Sequence, residues 1–266
     1  MKDRDTAYRD GFEAPNPQWP KPALRATSAL LVFLLYIAGQ FMGGVIYTSF
    51  ELAAAVLEDV DAAGPLSPEG LSARVSPQSA LAVTLGSAFG LAIGAYFVRA
   101  DLMNRSPFGA ACRAGRVKGL WSSLHLGIGI SFFYLLLSIF IFPPPSGTET
   151  SPLVEMGLQP GLGRLIWIVL TLFLAPFIEE VLFRGILLGG LSRSFGPLWA
   201  SALSTLLFVS LHIPEGFDYW PALMPIALMS WVATRQRMRW QATGAAVAVH
   251  FGYNGVIVVS VLLMGH

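Results

Sequence analysis

Charge is what this sequence has least of. Asp, Glu, Lys and Arg together make up 12% of its 266 residues, where a soluble domain carries about 25%. The deficit runs along the whole chain, so one large soluble core does not account for it. The net charge of +1 gives no bulk attraction for nucleic acid. A lone cysteine, Cys112, excludes an internal disulfide and any multi-cysteine metal site, and reads as a small near-apolar residue. The His-Glu-x-x-His signature of soluble zinc proteases is missing, and so is a Gly-x-Ser-x-Gly nucleophile. There is no repeat, and no alternation of apolar and polar residues of the kind that β-barrel strands need. Residues 1–25 mix Lys2, Arg4, Arg9, Lys21 and Arg25 with Asp3, Asp5, Asp10 and Glu13. No short apolar region with a cleavage site follows, so this segment does not read as a secretory signal.

What the chain has instead is apolar length. Hydrophobic residues make up 54% of it and mean hydropathy is +0.61. They come in runs of roughly 20, enough to cross about 30 Å of hydrocarbon. The runs fall at 28–55, 80–98, 121–142, 165–191, 198–213, 222–233 (a short one) and 244–264. They read as helices, because backbone facing lipid must satisfy its own hydrogen bonds. The expected fold is therefore all-α: a polytopic membrane helix bundle of about seven transmembrane helices. A polar N-terminal segment, 1–25, precedes a membrane-embedded helical domain, 26–266.

Punctuation agrees with this division. Acidic residues and prolines fill 58–77, Pro143, Pro144 and Pro145 close the third run, and Phe195-Gly196-Pro197 separates the fourth from the fifth. Glycines four apart (Gly39 and Gly43; Gly86, Gly90 and Gly94; Gly185 and Gly189) predict close helix packing within the chain. Basic residues cluster before the first run, after the second, at Arg193, and at Arg235, Arg237 and Arg239. Seven alternating spans put all of these on one side, which predicts a cytoplasmic N-terminus in the cell membrane.

Against this background a few polar residues stand out, because ionisable groups inside a span are costly and mark function by default. The fourth run holds Glu179, Glu180 and Arg184, the fifth His212, and the seventh His250 and Asn254. Glu180 and Arg184 are four apart, so they share a helix face and are expected to pair. Glu179 points about 100° away and is left for another task. Pro176 should kink the span and free a carbonyl that a site can use. Glu179 and His212 lie at equal distance from the Phe195–Pro197 turn, about 23 Å at 1.5 Å per residue. They therefore share a level, and His250 and Asn254 reach a similar one. A carboxylate in such a pocket suits general-base activation of water. His212 would help hold that water, and His250 and Asn254 would donate to an oxyanion. That is peptide hydrolysis without a covalent intermediate. Phe208, four before His212, reads as packing. His125 reads as structural, and Glu215 and Asp218 as solvated loop residues.

These residues resemble the CPBP family, the CAAX-type endopeptidases and bacteriocin-processing proteins. Its motifs are a Glu-Glu pair with an Arg after three more residues, a Phe four before a His, and a His four before an Asn. Here they are Glu179, Glu180 and Arg184; Phe208 and His212; His250 and Asn254. They stand in order within 165–266, while the first three spans contribute only hydrophobicity. The resemblance implies an intramembrane protease with Glu179 as base, His212 polarising water or substrate, and His250 and Asn254 in the oxyanion hole. Glu180, Arg184 and Phe208 would support the site. It also implies a substrate that is a membrane-associated or lipidated peptide or protein.

No cofactor is expected. The alternative is zinc on Glu179, His212 and His250, a donor set that suits that metal. Two other readings compete: a proton- or ion-coupled transporter, and a non-catalytic scaffold or immunity protein of the same fold. The transporter predicts discontinuous helices in symmetric halves, and no such symmetry is visible. Charge bias places the motifs past the midplane, toward the outside, whereas CAAX-type processing in the family faces the cytoplasm.

Overall fold

The computed structural model describes residues 24–58, 76–99, 117–143, 152–216 and 219–265. Most of the polar segment 1–25, the acidic loop after Glu58, Cys112, Asp218, and the basic residues Arg105, Arg113 and Arg116 lie outside the described residues.

The described residues build helices and no strands. In chain order these are α1 (Ala26–Glu58), α2 (Pro77–Phe97), α3 (Val117–Phe140), the short α4 (Pro152–Leu158) and α5 (Leu162–Val169). Then come α6 (Ala175–Glu180), α7 (Leu188–Leu211), α8 (Leu223–Trp240) and α9 (Thr243–Met264). Two π-helical turns, Leu170–Leu174 and Val181–Leu187, join α5, α6 and α7 into one continuous rod.

By length and apolarity, five stretches can cross a membrane: Ala26–Ala54, Pro77–Phe97, Gly119–Phe140, Leu162–Leu211 and Thr243–Met264. The fourth supplies two passes. Its backbone breaks at Gly196, where φ is 79°, a value that glycine adopts without the clash a Cβ would bring. Pro197 follows and starts the second arm. The arms lie side by side, since Ser204 Oγ donates to the Phe183 carbonyl at 3.4 Å. The short sixth run lies in α8, which is not among these apolar stretches and continues through Arg235, Arg237 and Arg239. It ends on Gln241 in the left-handed conformation, a common helix stop. Two basic side chains, Arg237 and Arg239, occupy its last turn and complement the negative end of the helix dipole.

Local chemistry explains where α2 begins. Ser76 Oγ accepts from the Ser79 amide at 3.1 Å, and Ser79 Oγ accepts from the Ser76 amide at 2.9 Å. This capping box, with Pro77 at the first helical position, satisfies amides that the helix leaves open.

The glycine seam between α1 and α2 is intramolecular, as the spacing predicts. A methyl group at Gly39 would sit 2.2 Å from the Gly86 carbonyl oxygen, and one at Gly90 would sit 2.1 Å from that of Leu35. A second seam joins α3 to α9, where a methyl at Gly127 would meet the Val249 carbonyl oxygen at 1.9 Å. The pair Gly185 and Gly189 departs from the expectation. Gly189 faces open space, and its neighbour Gly190 packs on Ala29, 2.5 Å from a built Cβ. A one-residue shift of this kind goes with the π turn just before it, which rotates the helix face.

Large apolar side chains such as Phe41, Phe50, Phe89, Phe140, Leu206 and Leu263 are exposed on the outside, as lipid-facing surfaces require. The centre is closed by Phe33 of α1, Phe183, Phe208 of α7, Met229 of α8 and Val249 of α9. The first helix therefore belongs to the core of the site-bearing half.

Candidate functional site

The two π turns bracket the acidic pair. In a π turn each carbonyl accepts from the amide five residues on. The Ala175 amide accordingly bonds to the Leu170 carbonyl, and the Leu188 amide to that of Phe183. The extra residue in each turn rotates the face that follows, and the short α6 between them carries Pro176, Glu179 and Glu180.

Glu180 and Arg184 pair as their spacing predicts, with Arg184 Nη1 donating to Glu180 Oε1 at 2.8 Å. Both are buried. Arg184 Nη2 donates to the carbonyl and to the hydroxyl of Ser230, each at 2.8 Å. The guanidinium thus ties the acidic helix to α8. It also lies over the Phe208 ring, 4.8 Å from its centroid, a cation–π contact that desolvation strengthens.

His250 bridges the two carboxylates. Its Nδ1 lies 2.9 Å from Glu180 Oε1, and its Nε2 lies 3.9 Å from Glu179 Oε2. A carboxylate paired to arginine has no proton to give, so His250 carries a hydrogen on Nδ1 and donates it to Glu180. Glu180 therefore serves two cations or donors at once through one oxygen. Glu179 has only the longer approach to His250, and its side chain keeps 17% of its exposure. The two adjacent carboxylates are thus distinguished: one is consumed by structure and the other is open to a ligand.

His212 ends the second arm of the hairpin. Its Nδ1 faces the Phe208 carbonyl at 2.9 Å, which fixes the hydrogen on Nδ1 and leaves Nε2 as a lone pair. Its ring stacks on Phe208 at 4.7 Å between centroids and 26° between planes. Phe208 also meets His250 edge-on at 5.8 Å and Phe183 at 5.0 Å. Phe208 is thus more than packing filler: one fully buried ring contacts both imidazoles. The contact of Phe183 with Phe208 joins the two arms of the hairpin across the Gly196 break.

Asn254, one turn beyond His250 on α9, donates from Nδ2 to the Thr171 carbonyl at 2.8 Å. That carbonyl belongs to the first π turn. Pro176 lacks an amide, and Asn254 donates to the carbonyl five residues before it.

Five participants were not legible in the motifs. Ser230 is a single hydroxyl in an apolar run. Thr171 acts through its main chain, and Phe33 meets Phe183 edge-on at 5.9 Å. Tyr36 of α1 lies within electrostatic reach of Glu179, and its hydroxyl interacts with Ser87 of α2. The first helix thus brings a phenol within electrostatic reach of Glu179, where the sequence suggested hydrophobicity alone. His125 stays apart as expected, its Nδ1 on the Trp121 carbonyl one turn back at 2.7 Å.

The zinc alternative can be tested on the donors themselves. Among the described residues, no three His, Cys, Asp or Glu side chains are grouped to hold a metal ion. His250 Nδ1 is held by Glu180, and the Phe208 ring touches both imidazoles.

Residues 161–256 match the family model described as Type II CAAX prenyl endopeptidase Rce1-like. The match spans all seven motif residues, from Glu179 to Asn254. No curated protein and no solved structure matches the chain.

Proposed function

We propose, since residues 161–256 match the model of type II CAAX prenyl endopeptidases, that the chain hydrolyses a peptide bond of a membrane-associated or lipidated substrate, with Glu179 as the base. The observation that carries this reading is the split between the two carboxylates: Glu180 is buried against Arg184 and His250, and Glu179 is left open beside them.

The reaction has two stages. Glu179 takes a proton from water, and the oxygen attacks the carbonyl carbon, which gives a tetrahedral oxyanion. Glu179 then returns that proton to the leaving nitrogen as the C–N bond breaks. His212 accepts a hydrogen bond from the water through its Nε2 lone pair, its ring locked by Phe208 and the Phe208 carbonyl. His250 and Asn254 donate to the oxyanion. For His250 this requires the doubly protonated ring, since its Nδ1 hydrogen is already given to Glu180. Preorganised donors in a water-poor site are the usual source of large rate gains. No metal enters any step. The setting we propose is the cell membrane, with the N-terminus and the basic end of α8 on the cytoplasmic side.

Purified protein in detergent, given a membrane-anchored peptide, tests this through His212→Ala. The expected result is cleavage by wild type and a kcat about 10²-fold lower in the variant, the ordinary worth of a positioned acid–base group. Equal cleavage by the two forms would remove His212 from the mechanism. No cleavage by folded wild type on any membrane peptide would favour the scaffold reading.

A further inference from the structure

Pro176 stands five residues after Thr171. In an α-helix the Thr171 carbonyl would accept from the Ala175 amide. Here that amide bonds to the Leu170 carbonyl instead. In the π register the next partner for Thr171 would be the amide of residue 176, and proline has none. Register and residue together leave one main-chain oxygen without a donor inside the rod. A buried carbonyl cannot stay unpaired without a substantial penalty. Asn254 Nδ2 reaches it at 2.8 Å from α9.

An amide group has two N–H donors in one plane. Once the first is bound to Thr171, the plane of the Asn254 side chain is fixed. The second donor then has a set direction rather than a rotating one. Asn254 makes no other hydrogen bond among the described residues, so that donor is available to a ligand. Resting on the reading of Asn254 as an oxyanion donor, we propose that Pro176 is a positioning residue. It reserves the Thr171 carbonyl for Asn254, and that bond holds the amide ready for the developing oxyanion. The proline thus shapes the backbone and also withholds a competing hydrogen.

A double-mutant cycle on Pro176→Ala and Asn254→Ala, read in both thermal stability and cleavage, tests this. Alanine at 176 supplies the missing amide. In the wild-type background, Asn254→Ala orphans the carbonyl and should lower Tm by about 3–6 °C. In the Pro176→Ala background the same change should lower it by less than half as much. In cleavage, Pro176→Ala should lower kcat about tenfold with KM within about twofold, and should add nothing once Asn254 is alanine. Thr171→Val should be silent, because the contact is to the main chain. Should Pro176→Ala not fold, Pro176→Ser provides the same amide.

Stability penalties that simply add would overturn the proposal, since the proline and Asn254 would then act on different groups. Coupled stability with full cleavage by Asn254→Ala would overturn the catalytic half of it and the oxyanion assignment. The hydrogen-bond geometry would survive that result.

Discussion

Glu179→Gln is expected to lower kcat by about 10³-fold or more while KM changes by less than about twofold. Glutamine keeps the size and one oxygen of glutamate but cannot accept the proton of water at neutral pH. The substitution should leave the fold intact, because among the described residues the close approach that Glu179 makes is to His250 Nε2 at 3.9 Å. An unshifted Tm alongside the lost turnover is therefore part of the prediction. A raised KM with unchanged kcat would instead make Glu179 a substrate-binding group.

Arg184→Met should act in the opposite sense, on stability first. It strips a buried carboxylate of its partner and leaves the carbonyl and hydroxyl of Ser230 without their donor. Breaking one side of a buried pair costs about 3–5 kcal/mol, out of a total of roughly 5–15. The expected readout is a Tm lowered by about 10 °C in detergent, or no folded protein at all. Arg184→Lys should rescue little, because one ammonium on a flexible stem cannot reproduce the fork that spans Glu180 and Ser230. The pair Glu180→Gln with Arg184→Met should recover much of the stability. It should recover less of the activity, since Glu180 also holds His250. A melting curve unchanged in Arg184→Met would contradict the role given to this cluster.

How far the sequence reveals the site depends on the range of each interaction. Glu180 with Arg184 is a local pair at helical spacing, so it could be named without coordinates. The expectation that Glu179 and His212 share a level rests on their similar distances from one glycine turn. The expectation of a freed carbonyl rests on Pro176. By contrast, the bond from His250 to Glu180 joins residues 70 apart, and no spacing rule assigns it. That bond changes the reading of His250, which serves the structural carboxylate before it serves any oxyanion. The π turns were not legible either, because composition does not specify a five-residue register. They decide that Gly190, not Gly189, meets α1 and that Thr171 receives Asn254. Tyr36 and Ser87 looked like ordinary small polarity in apolar runs, and only packing joins them and brings Tyr36 within electrostatic reach of Glu179.

The same geometry bears on the choice between a glutamate and a metal. The spacing of Glu179, His212 and His250 left zinc open, since these are acceptable ligand types. In the structure Phe208 touches both imidazoles, and Glu180 holds Nδ1 of His250. Glu179 is left as the one open carboxylate of the pair.

The most direct test is the rate of peptide cleavage by purified wild-type protein before and after exhaustive treatment with a strong divalent-metal chelator. The account predicts the same rate within about twofold, with turnover disappearing only on substitution of Glu179. A rate lost to the chelator and restored by added zinc would contradict it, and would require Glu179, His212 and His250 to gather around an ion.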